Sequence, residues 1–397
     1  MQSIWSEIHK LRSETPLNGS EAHINRSEAQ KNRSERTFVI DYHNSNRYRL
    51  VLQEIDGSKT AYYFSTPIYN RDTRKLVDIS FRLINGNICT TGSNSKITLA
   101  DSVLMTNVEG SCSIELPQNC DFVSSKEVRC GNIVLIPTVN GVAFKCEIKV
   151  NEKISFIVNV EEPFLNIRAN DRCLALMRER FKPFVVFSCI GVADKTGDII
   201  APAKIEYQKL TDNKYRLEFS STSSMAEYII FEANLYENKL FQDTTVESKN
   251  PSTNNTFGSV AFLGNTLAYG EQWLYSRLDY SKISEIMDKR VRKAVLHIPK
   301  LNKGQTQLSA TNVKARFCSF GSNWNNKIAS GEPISDSSAS TSYQSLDITN
   351  LLVEPRMRTI TQSEGMILRT RDKSNEFSVI STGDSYYCPQ ILEVNFI

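Results

Sequence analysis

Few residues of this chain have the types and spacing that chemistry requires. Only four histidines occur, His9, His23, His43 and His297. His297 lies between Leu296 and Ile298 in an alternating run, where a structural histidine with satisfied nitrogens is expected. His43 falls in the turn-like string HNSN and is expected to be exposed. Neither the nucleophile elbow GxSxG, the zinc motif HExxH, the phosphate loop GxxxxGK[ST] nor the dinucleotide loop GxGxxG is present. Glu161 and Glu162 are adjacent, but the acidic residues as a set offer no pairing of the kind glycoside hydrolysis uses. Asp194–Asp198 lacks the D-x-D-x-D-G ladder of a calcium loop and is expected to be a turn. Asp243, with neighbouring carbonyls, is the one calcium candidate, and no other cofactor is indicated. The expectation is a protein that is not an enzyme.

Aromatic residues on polar loops are more suggestive. Sugars stack their C–H faces on Trp and Tyr rings, so a glycan site needs such rings beside hydrogen-bonding neighbours. Trp324 stands in FGSNWNNK, Tyr343 in SDSSASTSYQS, and Tyr386 and Tyr387 in TGDSYYCP. These four are the glycan candidates. The competing expectation is that Trp324 closes one end of a sandwich and the tyrosines satisfy edge hydrogen bonds.

Composition narrows the class. Of 397 residues, 47 are Lys or Arg and 44 Asp or Glu, a formal net charge of +3. So small an excess argues against broad electrostatic binding to nucleic acid or anionic membrane. No run of about 18 apolar residues suggests a membrane helix. The start, MQSIWSEIHKLRSE, has no apolar stretch behind a basic one, so no secretory signal is expected. Nine cysteines (89, 112, 120, 130, 146, 173, 189, 318 and 388) form an odd set without a CxxC or Cys–His spacing, so no zinc site is expected. Most sit in apolar runs as small buried hydrophobes. Reduced thiols and synthesis in the cytoplasm follow as expectations, with function in a released particle or at a bacterial surface.

The elements that must carry these residues begin with a repeat. Ser-Glu recurs every seven residues, at 6–7, 13–14, 20–21, 27–28 and 34–35. Seven is the coiled-coil period, but only Ile8 and Leu11 supply an apolar pair, and Pro16 interrupts a helix. Residues 1–36 are therefore expected to be an arm, with Trp5, Ile8 and Leu11 as its docking cluster. A drifted low-complexity duplication is the alternative. From Thr37 the pattern alternates with period two. In VAFKCEIKV, Val142, Phe144, Cys146, Ile148 and Val150 share a face. Ile154, Phe156, Val158 and Val160 repeat the pattern, as do Tyr215, Leu217 and Phe219. Turn signals such as DGS, NGN, VNG and TDNK recur at the spacing of antiparallel sandwiches or barrels. Two segments look helical, Tyr280–Lys293 and Asn170–Phe181. The expected units are the arm 1–36, an N-terminal β-sandwich 37–162, a middle β region 163–240 that is separate or continuous with it, and a C-terminal sandwich 241–397.

Within the last unit a series of segments follows in order. Asp243-Thr244-Thr245-Val246 leads to Asn250-Pro251-Ser252-Thr253-Asn254 and Gly258, then Phe262-Leu263-Gly264. Ser276 to Ile283, Arg290 to Ile298, Trp324, Ser345 to Leu352, Glu364 to Leu368 and Pro389 to Val394 complete it. In order and spacing this stretch resembles the DNRLRE family of β-sandwich modules: strand, "NPxTNxG" turn, "fDLSxI", "LDITxLV" and a closing "P-x-L-x-V" strand. It departs from the family in lacking the name-giving string and in carrying Glu354-Pro355 where a tryptophan is usual. The resemblance implies a jelly-roll-like sandwich of carbohydrate-binding-module type, found in secreted, cell-wall or particle-borne bacterial proteins. It implies display, adhesion or assembly.

The fold class expected is all-β, tandem antiparallel sandwiches behind a short heptad-repeat arm. Two functions remain. One is a structural subunit of a large bacterial or phage-type particle, whose partners are copies of itself or other subunits. The other is a secreted or wall-associated protein that binds cell-surface glycan.

Overall fold

The computed structural model describes residues 39–397, apart from 42, 55, 70–76, 78, 92–94, 162–165, 238, 305, 314–318, 340–342, 354–364 and 372–376. The arm candidates Trp5, Ile8 and Leu11 lie outside the described residues.

The chain is all-β, and its described residues form four antiparallel sheets. The first sheet runs, edge to edge, Lys204–Thr211, Lys214–Ser220, Ile154–Val160, Gly110–Glu115, Ser102–Asn107, Lys96–Leu99, Asn87–Thr91 and Arg82–Ile84. The second runs Asn166–Ala169, Cys173–Glu179, Lys182–Ala193, Tyr228–Leu235, Gly141–Glu147, Ile133–Pro137, Glu127–Cys130 and Asp121–Ser124, with Ile199–Ala201 on Lys182–Ala193. The third holds Ser330–Asp336, Leu308–Val313, Met366–Thr370, Gly270–Leu278, Val260–Thr266 and Phe377–Ser381, with Phe241–Glu247 on Gly270–Leu278. The fourth holds Val39–Ile40, Arg49–Gln53, Lys59–Phe64, Ile391–Phe396, Val291–Pro299, Tyr343–Asp347 and Ser338–Ala339.

Period-two alternation explains which faces meet. Phe144 and Cys146 from the second sheet and Phe156, Val158, Leu217 and Phe219 from the first bury into one core. Its centre is an aromatic stack in which Phe231 lies 3.8 Å from Phe219 and 4.5 Å from Phe144, with Phe156 edge-on. Val150, expected on that face, is exposed, because the strand ends at Glu147 and Asn151 turns the chain with a positive φ. The third and fourth sheets share a second core, including Leu274, Leu296, Leu308, Leu368 and Leu392. Between the sandwiches, Ile190, Ala193, Ile199 and Ile230 of the second sheet meet Val260, Phe262 and Val379 of the third. The sheets thus stack as four layers, with the second and third inside.

This burial on both faces corrects one expectation. Asn170–Phe181 contains the strand Cys173–Glu179, not a helix. Leu174 and Leu176 face the first core, while Cys173, Ala175 and Met177 pack with Phe257 on the other side. A strand covered on both faces loses its alternation and reads as a continuous apolar run. Tyr280–Lys293 holds only a 3-10 turn, Tyr280–Ile283, and one α-turn, Ser284–Met287, before the strand that starts at Val291. Gly191 marks a bulge against Tyr228–Leu235, with φ at +147° and no room for a Cβ beside Ile199 and Ala201.

The strand pairings also redraw the expected units. Residues 39–64 do not join the N-terminal sandwich: Lys59–Phe64 pairs with Ile391–Phe396 in the fourth sheet. Nor does 162 divide two units. Ile154–Val160 pairs with Lys214–Ser220, and Gly141–Glu147 with Tyr228–Leu235. The first sandwich is drawn from residues 82–235, inserted between the first three strands of the second sandwich and the rest of it.

Candidate functional site

The best-formed aromatic surface is built on the third sheet. In Gly270–Leu278, Leu274 and Leu278 point into the core shared with the fourth sheet, so alternation sends Trp273 and Tyr275 to the opposite face. There Tyr275 donates its hydroxyl hydrogen to the Ile328 carbonyl, 2.7 Å away, and fastens the segment that carries Trp324. The Trp324 ring lies 5.2 Å from that of Trp273, tilted by 57°. The Lys327 ammonium sits 4.1 Å from the centre of the Trp324 ring, and the Arg369 guanidinium 5.8 Å from Trp273. Trp273 Nε1–H donates to the Glu271 carboxylate at 2.9 Å. Both tryptophans are half-buried.

The loop beneath is fixed by side-chain hydrogen bonds. Asn323 Oδ1 accepts from the backbone N–H groups of Asn325 and Asn326, and Asn326 Oδ1 accepts from that of Asn323. Asn254 Nδ2 donates to the carbonyls of Ser319 and Ser322, so the Asn250–Asn255 turn holds the tryptophan loop. Two rigid rings with charged and amide neighbours can stack a flat apolar face and bond its polar rim, with little ordering left for the moment of binding.

The other glycan candidates do not join this surface. Tyr343 opens a strand of the fourth sheet, opposite Pro299. Tyr386 is buried, 4% exposed, with its hydroxyl accepting from Glu237 N–H at 2.8 Å. That burial removes it as a sugar contact. Tyr387 is mostly buried and packs at the junction of the sandwiches, its N–H donating to Glu232. Trp273, which lies inside a strand and not on a loop, is the ring that pairs with Trp324. Its signal is the alternation of QWLYS against Leu274.

Tyr386 and Tyr387 belong to a buried polar node where three sheets meet. Glu232 of the second sheet accepts from Ser259 Oγ and from the backbone N–H groups of Tyr386 and Tyr387. Lys239 donates to the Asp384 carbonyl, with its ammonium 3.5 Å from the centre of the Tyr386 ring. Asp243 accepts from the Gly383 N–H. Glu237 receives Arg47, the Tyr48 hydroxyl and Asn140. A cavity of about 10 Å³, room for about one water, opens between Glu232, Asn234, Asp384 and Tyr386. Burial raises the carboxyl of Asp384 to about 7 and that of Asp243 to about 6, and also raises Glu232. Burial likewise lowers Lys239 to about 8, against the pull of Asp384 and Glu232.

Asp243, the calcium candidate, is a buried carboxyl beside a lysine. Among the described residues no group of three or more His, Cys, Asp or Glu is placed to hold a metal ion. A second buried pair bridges the sandwiches elsewhere: Arg172 of the first meets Glu247 of the second at 2.6 Å.

The remaining candidates have structural partners. His297 lies 3.0 Å from both Ser345 Oγ and the Glu393 carboxylate. His43 is exposed in its turn. Asp194 Oδ1 caps its loop by accepting from Thr196 and the Asp198 N–H. Among the described residues six cysteines are free thiols, and burial pushes Cys112, Cys173 and Cys388 up to about 12. The expectation of nine thiols is corrected by a disulfide between Cys120 and Cys130. The hairpin of Asp121–Ser124 with Glu127–Cys130 brings their Cα atoms to 4.3 Å. Cys318 lies outside the described residues.

Fold and surface together define a tandem β-sandwich protein with a two-tryptophan platform. No protein-family model matches the chain. No curated protein matches it either. Among the described residues no helix is long and apolar enough to cross a membrane.

Proposed function

We propose that this chain is a non-catalytic structural and binding subunit of a large particle, of the phage or phage-tail-like type, with residues 1–36 as its docking arm. The observation that carries the reading is where the arm is attached. Two residues after it the chain enters Val39–Ile40, the edge strand of the outermost fourth sheet, on a body locked by buried polar contacts between sandwiches. A rigid body with a charged, low-apolar arm at its margin suits a subunit that is held by its arm and displays its sheets. The resemblance to DNRLRE modules points the same way. Deleting residues 1–36 should abolish incorporation into the particle, followed by sedimentation and electron microscopy, and leave the melting temperature within about 2 °C. Normal assembly of the truncated chain would refute the reading.

A second reading, a secreted or wall-associated glycan binder, is favoured by the Trp273–Trp324 platform. It expects Trp273→Ala and Trp324→Ala each to weaken binding to a printed glycan array or to whole bacterial cells by about tenfold or more, as loss of a stacking ring of ~1–1.5 kcal/mol and its buried area implies. Unchanged binding in both variants would remove the platform from function.

A further inference from the structure

We infer that Lys239 and Asp384 condense into an intramolecular amide, with the Lys239 Nζ joined to the Asp384 side-chain carbon, loss of one water, and Glu232 carrying the proton between them. The inference does not depend on the assembly reading. It assigns a covalent modification to the buried node where three sheets meet.

The backbone fixes both reacting residues. Lys239 follows the strand Tyr228–Leu235, and its carbonyl accepts from the Lys282 ammonium at 2.7 Å. Asp384 lies in the turn after Phe377–Ser381, where its N–H donates to the Thr382 hydroxyl at 3.1 Å. Lys239, Asp384 and Glu232 are all buried. The Lys239 amine already bonds the Asp384 backbone carbonyl, against the face of the Tyr386 ring. Rotation about the Asp384 Cα–Cβ bond carries the carboxyl carbon to about 3 Å from that same carbonyl oxygen, and so beside the amine. Asp243 is a poorer target, because its carboxylate is held by the Gly383 N–H.

In water an amine and a carboxylic acid form a salt and not an amide, because both are ionised. Burial works against that here. It raises Asp384 from 3.8 to about 7 and lowers Lys239 from 10.5 to about 8, so the neutral acid and the neutral amine are both accessible near neutral pH. Glu232 is within electrostatic reach of both groups, and its carboxylate is fixed by Ser259 Oγ and the N–H groups of Tyr386 and Tyr387. The Nζ–Cγ bond forms and the Cγ–OH bond breaks. Glu232 takes a proton from the nitrogen and returns it to the departing hydroxyl, which leaves as water. No oxidant or cofactor is consumed. The cavity lined by Glu232, Asp384 and Tyr386 has room for that water. Lys239 and Asp384 are 145 residues apart, and among the described residues every strand of the third sheet falls between them. The bond therefore closes a covalent ring around that sheet. Once condensed, neither residue titrates, so any pH dependence they carry belongs to the uncondensed chain.

The test is mass spectrometry of the purified full chain after reduction of its disulfide. The mass should lie below that of the sequence by about 18 Da, one water, and proteolysis should release a branched peptide joining Lys239 to Asp384. Lys239→Arg and Asp384→Ala, each checked for folding by its melting transition, should restore the full mass. Glu232→Gln should lower the branched fraction by about tenfold or more. A parent chain at the full sequence mass would overturn the inference, and this result is read without any variant having to fold. So would a loss that survives Lys239→Arg, a branch that joins another pair of residues, or a branch undiminished in Glu232→Gln.

Discussion

Glu247→Ala should destabilise the protein by about 3–5 kcal/mol, the cost of leaving a buried charge without its partner. Glu247 is fully buried and Arg172 is 3% exposed. Arg172 Nη2 holds the Glu247 carboxylate at 2.6 Å and Thr245 Oγ at 3.1 Å, and its guanidinium lies 4.3 Å from the Tyr269 ring centre. Among the described residues its Nε and Nη1 have no hydrogen-bond partner, so removing Glu247 leaves the cation facing one hydroxyl and one ring face there. Arg172→Met should cost less. Glu247 would retain Gln272 Nε2 at 3.1 Å, Asn255 Nδ2 at 3.3 Å and Asn250 Nδ2 at 2.8 Å. Because the pair spans the two sandwiches, urea unfolding of Glu247→Ala should resolve into two transitions where the parent gives one. A loss under 1 kcal/mol with a single transition would show that the apolar contact of Ile190 and Phe262 suffices.

The node around Asp384 should make the protein more stable at pH 5 than at pH 7.5, by a few kcal/mol. In the uncondensed chain burial raises Asp384 to about 7 and Asp243 to about 6, from an ordinary carboxyl value of 3.8. Between about pH 4 and 7 the folded state therefore holds more protons than the unfolded one, and stability falls as pH rises through that window. Lys239 works in the other direction at higher pH. Lowered to about 8 from 10.5, it releases its proton first in the folded state, so stability recovers between about pH 8 and 10.5. The melting temperature should accordingly pass through a minimum near pH 7–8. Asp384→Asn should flatten the descent between pH 5 and 7. A melting temperature that climbs steadily from pH 5 to 7.5 would mean that these carboxyls are ionised throughout.

Legibility in the sequence followed locality. Phe156–Val160 and Tyr215–Phe219 announce their faces because each strand has one buried side, and period two survives. Cys173–Glu179 did not, because an internal layer buries both sides and erases the alternation. The same holds at the sites. Trp324 stood out among asparagines, whereas Trp273 was hidden inside a strand whose outer face becomes visible only once Leu274 is placed in the core. Lys239, Asp243 and Asp384 carry no spacing signal, since a loop about 140 residues downstream completes their node. Cys120 and Cys130 looked like two of nine scattered thiols until a hairpin set them side by side.

The pairing of Lys59–Phe64 with Ile391–Phe396 has a consequence for how the chain is made. Roughly 330 residues separate the two strands, which at ~5–20 residues per second is about 15–65 s of synthesis. During that time Val51, Ala61 and Tyr63, all core residues, wait for a partner that has not left the ribosome. The first sandwich, drawn from residues 82–235, can close meanwhile, since all of its strands have emerged. Newly made chains should therefore pass through a half-folded stage with one finished sandwich and an open apolar strand. At that stage the protein depends on whatever in the cell shields such strands until Ile391–Phe396 has emerged to pair with them.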